Sequence, residues 1–154
     1  LPGVKLADGV SASTDLEKAV RGAAVVTYAI PSGAFRDVAR RTGDFVTGDQ
    51  VLLSATKGLE PKSFSRMSDV LLAETCARKV GAISGPNLAK EILKGQPSAT
   101  VVASRFREVI QKGAHAFHGP SFRVYGNPDL GGVELAGALK NVIAIGCGIA
   151  QGLG

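Results

Sequence analysis

The feature that most constrains this chain is a repeated unit: a short unbroken apolar run, a turn, then a stretch with helical spacing. Residues 23–30 (AAVVTYAI) form the first such run, closed by Pro31. So short and apolar a run reads as a strand covered on both faces, the signature of a parallel sheet. The pattern predicts a helix over 32–41, a second buried strand over 51–54 and a helix over 63–77. Further strands are predicted over 80–83, 98–103 and 122–125, with helices over 87–94 and 106–115. Ser13-Thr14-Asp15 is a helix-start signal ahead of Leu16, and residues 132–150 read as one long apolar helix. Strand and helix alternating in this way predict an α/β fold, a mostly parallel sheet with helices on its faces. The ends of strands 23–30, 51–54 and 80–83 should then bring Pro31, Lys57 and Gly85 to one edge.

Composition narrows the function classes. The chain has 154 residues, 45% hydrophobic and 20% charged, enough for one domain with its own core. Its apolar stretches are interrupted by glycine or charge, so no membrane span is expected. Cys76 and Cys147 stand far apart without a partner motif; neither a disulfide framework nor a metal site is expected, and a reducing, cytoplasmic setting is. No secretory signal opens the sequence. A net charge of +5 suits anionic metabolites as well as nucleic acid. The densest basic run, Arg36, Arg40 and Arg41 with Asp37 and Asp44 interleaved, reads as a solvated helix face. It lacks the alternating aromatics of a single-strand-binding groove, so nucleic acid is not an expected partner.

Three segments could carry chemistry. In Ser54-Ala55-Thr56-Lys57-Gly58-Leu59-Glu60, Lys57 follows a buried strand, where open α/β sheets bind ligands. Position alone leaves a solvated loop lysine equally open. In Ser84-Gly85-Pro86-Asn87-Leu88-Ala89-Lys90-Glu91, Asn87 is a predicted N-cap, and a helix start favours an anion or a carboxamide; a plain cap with no ligand is the commoner case. In residues 133–153 the only charged side chains are Glu134 and Lys140. Lysine is costly to bury, so Lys140 is expected to find a partner or have its pKa lowered, which would suit a general base. A lysine whose stem merely covers apolar surface is the alternative.

Other features are weaker. Gly146-Cys147-Gly148 with Gly152 ends a helix instead of following a strand, so helix packing is the expected use, not dinucleotide binding. His115 and His118 lack a neighbouring acid or cysteine and are read as surface histidines.

Taken together, Ala55-Thr56-Lys57-Gly58-Leu59-Glu60, Ser84-Gly85-Pro86-Asn87 with Ala89-Lys90-Glu91, and Gly137-Ala138-Leu139-Lys140-Asn141-Val142-Ile143-Ala144-Ile145-Gly146 resemble the bacterial type of NAD(P)-dependent glycerol-3-phosphate dehydrogenase. Leu1-Pro2-Gly3-Val4 and residues 122–129 (FRVYGNPD) look like the same family. The resemblance implies a Rossmann-type nucleotide-binding domain over 1–131 and, over 132–154, the helix that opens an all-helical domain. It implies interconversion of glycerol 3-phosphate and dihydroxyacetone phosphate with NAD or NADP, supplying glycerol 3-phosphate for phospholipid synthesis, and a possible homodimer. By the same resemblance Lys140 moves the C2 hydroxyl proton, and Lys57 touches substrate and nicotinamide. Gly85 and Asn87 line the substrate pocket, Asn141 helps hold the phosphate, and Pro31, Ser32, Phe35 and Ala89 lie against the cofactor. Asn87 stands where many bacterial relatives carry threonine.

The family's Gly-rich turn is expected before Leu1 and its helical domain after Gly154. The 154 residues are therefore expected to be a segment that is not competent alone. Two other readings compete: a related hydroxy-acid dehydrogenase, and a non-catalytic scaffold of the same fold.

Overall fold

A computed structural model describes residues 8–154; Leu1 to Val4 lie outside the described residues. Among these, five strands form one sheet in the order β1 (Val25–Tyr28), β2 (Val51–Ser54), β3 (Lys79–Ser84), β4 (Ser98–Ala103) and β5 (Phe122–Asn127). Every pairing is parallel except β3 with β4. The connection at that reversal contains only the five-residue α4 (Ala89–Leu93), which buries none of its side chains. A parallel return is usually carried by a helix packed on the sheet, and α4 is not packed there, so the chain turns back instead.

Strand alternation explains the two cores. Leu52 of β2 and Val80 of β3 pack against α2 (Ser32–Gly43) and α3 (Met67–Glu74), with Phe35, Met67 and Leu71 fully enclosed. Val51, Leu53 and Ile83 point the other way, into a cluster with Val109 of α5 (Arg107–Phe117). Each fully buried Leu or Phe side chain contributes roughly 1.5–3 kcal/mol. On the α2 face, Ala82 and Ala103 receive Leu130 and Val133 of the last helix, α6 (Leu130–Leu153). The remaining helix, α1 (Leu16–Val20), starts where expected: Asp15 is its N-cap and accepts from the Glu17 and Lys18 amides.

Several expectations change. Residues 23–30 are not a strand covered on both faces, since β1 is shorter and Thr27 is exposed. No other strand among the described residues pairs with its outer side. The helix predicted over 63–77 begins only at Met67, because Phe64 sits at φ 55°, in the left-handed region a helix cannot contain. The basic run is not a uniform solvated face. Arg36 is gripped by Glu60 and Glu74, and Arg40 pairs with Glu74 at 3.0 Å, whereas Arg41 stays in solvent.

One helix bears on the membrane expectation without overturning it, since the core helix of a soluble protein can be as long and apolar. At 24 residues and with a mean hydropathy of 1.5 over an 18-residue window, α6 is by length and composition able to cross a membrane. Leu139, Val142, Ile143, Ile145 and Ile149 are all exposed. Gly146, Gly148 and Gly152 likewise meet nothing within 4 Å, so the helix packing expected of them is not formed among the described residues.

Candidate active site

The carboxyl ends of β1, β2 and β3 do bring Pro31, Lys57 and Gly85 to one edge of the sheet. Lys57 follows Ser54 by a tight turn in which Gly58 adopts φ +125°, a conformation L side chains rarely take. Its ammonium donates to the Gly85 carbonyl at 2.8 Å, tying the β2 and β3 turns together. Thr56 makes the neighbouring tie: its hydroxyl donates to the Ile30 carbonyl at 2.7 Å and accepts from the Ile30 amide at 3.2 Å. The Pro31–Ser32 turn is thereby held beside Lys57.

Gly85 has a steric reason of its own. A Cβ there would meet the Ala99 carbonyl oxygen at 2.8 Å and the Thr100 Cα at 2.9 Å, both backbone atoms of β4 that cannot step aside. Asn87 is not the N-cap expected of it; Leu88 holds that position. The Asn87 amide instead donates to the Thr100 hydroxyl at 3.0 Å, and that hydroxyl donates to the Ser84 carbonyl at 3.1 Å. A carbonyl can only accept, so the Thr100 proton is committed and the Asn87 amide orientation follows. Its Oδ1 is left buried without a partner.

Lys140 arrives from the other side. Helix α6 crosses the end of β3 so closely that a Cβ on Gly137 would lie 2.8 Å from the Ser84 hydroxyl oxygen. One turn further on, Lys140 lines the same open cleft as Lys57, Ser84, Gly85 and Asn87, with a volume of about 550 Å³. A shallower groove at Ile30, Pro31, Ser32 and Thr56 adjoins it and shares Lys57. Burial pushes the Lys57 ammonium pKa down, and the Lys140 charge pushes it down further. Two cations facing one cleft favour an anionic or carbonyl ligand.

The burial expected at Lys140 is not found: its side chain is exposed and donates to the neighbouring Asn141 side chain at 3.1 Å. The buried charge of α6 is Glu134, which the sequence pattern displayed but could not place. Its carboxylate accepts from the Ser68 amide at 2.9 Å and from the Ser68 hydroxyl. Ser68 is in the first turn of α3, whose own cap residue, Arg66, supplies no side-chain bond. Glu134 thus caps a second helix and holds α6 to it.

Phe35 is fully buried, with its ring 5.6 Å from that of Tyr28. It packs behind the Pro31–Ser32 turn. Ala89 is exposed at the start of α4, and Asn141 is exposed beside Lys140. Cys147, His115 and His118 are exposed, away from the cleft.

Residues 1–110 match the family model for the NAD-dependent glycerol-3-phosphate dehydrogenase N-terminus, and residues 129–154 match that for its C-terminus. The chain belongs to this family. It is 46% identical over 154 residues to the glycerol-3-phosphate dehydrogenase [NAD(P)+] of Teredinibacter turnerae, covering all of this chain and 45% of that protein. The crystal structure of the glycerol-3-phosphate dehydrogenase from Coxiella burnetii superposes with a TM-score of 0.88 at 33% identity, over 99% of this chain and 47% of that one. The enzyme of the same name from Saccharomyces cerevisiae gives 0.87 at 32% identity, over 99% and 46%. The chain therefore spans about half the length of the relatives it matches, and family membership confirms the Rossmann-type class of the sheet.

Proposed function

We propose that this chain forms part of an enzyme that interconverts glycerol 3-phosphate and dihydroxyacetone phosphate with NAD or NADP. The observation that carries the reading is the convergence of Lys57 and Lys140 on one cleft at the carboxyl edge of the sheet. Bound there, the nicotinamide supplies or accepts the hydride at C2. The groove at Pro31 and Ser32 fits the dinucleotide, because it opens onto Lys57 and α2 begins there without a side-chain cap, leaving first-turn amides for an anion. In this reading Ala89, exposed at the start of α4, contacts the cofactor.

In this reading Lys140 takes the C2 hydroxyl proton in oxidation and returns it in reduction. Its exposure places it at the mouth of the cleft, beside Lys57. Lys57, held by the Gly85 carbonyl, stabilises the negative charge that develops on the carbonyl oxygen. Gly85 and Asn87 shape the substrate wall, with the Asn87 Oδ1 available to a hydrogen-bond donor. Asn141 reaches toward the phosphate. Residues 1–131 serve the nucleotide, and 132–154 carry the proton-transfer helix.

The test is turnover by the full-length protein of dihydroxyacetone phosphate with NADH and with NADPH, followed by nicotinamide absorbance. Turnover of a different 2-keto substrate, or of none, would sink the reading.

A further inference from the structure

The opposite edge of the sheet carries a second cleft, of about 220 Å³, between the amino-terminal ends of α3, α5 and α6. It lies by Val80 at the start of β3, about 16 Å along the strand from Gly85 at a rise of about 3.3 Å per residue. Its lining is rich in positive charge: Arg66, Arg78 and Arg105, against one carboxylate, Asp69. Asp69 is already spent, since Arg66 grips it through two bonds of 2.9 and 2.8 Å. Arg78 and Arg105 have no carboxylate partner among the described residues, and residues 1–7 contain no acid that could serve.

The rest of the wall is apolar and open. Phe106, 51% exposed, and Leu72, 39% exposed, line the same cleft as the two free guanidinium groups. Phe106 is also the cap residue of α5 and supplies no side-chain bond to that helix, so the positive end of its dipole adds to the arginines. A planar guanidinium pair recognises phosphate through paired N–H donors, and an aromatic beside it suits a flat apolar group.

From this arrangement we infer a second binding site, distinct from the Lys57–Lys140 cleft, for a small phosphate monoester carrying an aryl or similarly flat apolar group. Free Arg78 and Arg105 take the phosphate oxygens, and Phe106 and Leu72 take the apolar part. The site does not depend on the dehydrogenase reading, because it shares no residue with the cleft that reading uses.

Isothermal titration of the full-length protein with phenyl phosphate tests it, with inorganic phosphate and benzyl alcohol as separate probes. Saturable binding of phenyl phosphate is expected, tighter than that of inorganic phosphate, with none for benzyl alcohol. The R78A/R105A pair should weaken it at least tenfold with an unchanged melting temperature. Amide NMR shifts on titration should centre on Val80 and Phe106. If K57A/K140A abolishes binding while R78A/R105A leaves it intact, the phosphate sits at the other edge and the proposal is wrong. Equal affinity for inorganic phosphate would overturn the assigned ligand class, and no saturable binding would overturn the site.

Discussion

The two halves of α6 behave as different kinds of helix. From Leu130 to Gly137 it is anchored: Leu130 and Val133 enter the sheet core and Glu134 is locked to Ser68. From Leu139 onward it projects, with Val142, Ile143 and Ile145 each more than 60% exposed. Lys140 stands just past the boundary. A charge in the anchored half must be fully hydrogen-bonded, as Glu134 is, whereas one in the projecting half keeps its solvent. The anchored half sets where the helix points, and so where Lys140 can act.

The sharpest way to break this division is at Lys140 in the full-length protein. Lys140→Ala should lower kcat by roughly 10² to 10⁴, the usual cost of losing a general base, with cofactor affinity nearly unchanged. Lys140→Arg should not restore it, because arginine keeps its proton. A raised KM with unchanged kcat would make Lys140 a binding group only.

Leu130→Ala should cost this chain about 2–5 kcal/mol in a denaturant melt, as expected for a large-to-small change in a packed cluster. A cost near zero would mean that the first turn of α6 is not anchored after all. Glu134→Ala should cost somewhat less, roughly 1–3 kcal/mol, by leaving the Ser68 amide without a partner. Glu134→Gln keeps an acceptor and should recover most of it; equal losses for the two variants would argue against the cap.

A smaller, pH-dependent signal separates two buried carboxylates. Burial raises the Glu134 pKa above its usual 4.5, outweighing the Ser68 hydrogen bonds that lower it. The folded state therefore binds this proton more tightly than the unfolded one. Glu134 contributes most at low pH, and that contribution is lost as pH rises from about 4.5 through its folded value. Glu60 behaves in the opposite sense: hydrogen bonds from Arg36 and Ser63 hold it at about 2. Its contribution is present above 4.5 and lost as pH falls toward 2. Stability measured against pH for Glu134→Gln and Glu60→Gln should diverge from the parent on opposite sides of pH 4.5; divergence on the same side would refute one assignment.

The smallest effect belongs to the projecting half. Ile143→Ala should change the stability of this chain by no more than about 0.5 kcal/mol, as for other exposed positions. A loss of several times that in the full-length protein would show that another part of it covers this surface.

The α/β class, the strand and helix succession and the shared edge of Pro31, Lys57 and Gly85 were legible because they depend on local period and turn chemistry. Lys57 and Lys140 could be named from motif and from charge in an apolar run. The β3–β4 reversal was not legible, because it depends on whether α4 finds a surface to pack on. Nor was the loss of the Asn87 cap to Thr100, a partner thirteen residues away across the sheet. Burial was expected at Lys140, yet both cleft lysines are exposed and only Lys57 has its pKa lowered by partial burial, while Glu134 is the charge that α6 buries. Composition shows that a charge sits among apolar neighbours along one helix. Whether it meets water or protein depends on what lies across from it, and only the packing of α6 on β3 and α3 decides that.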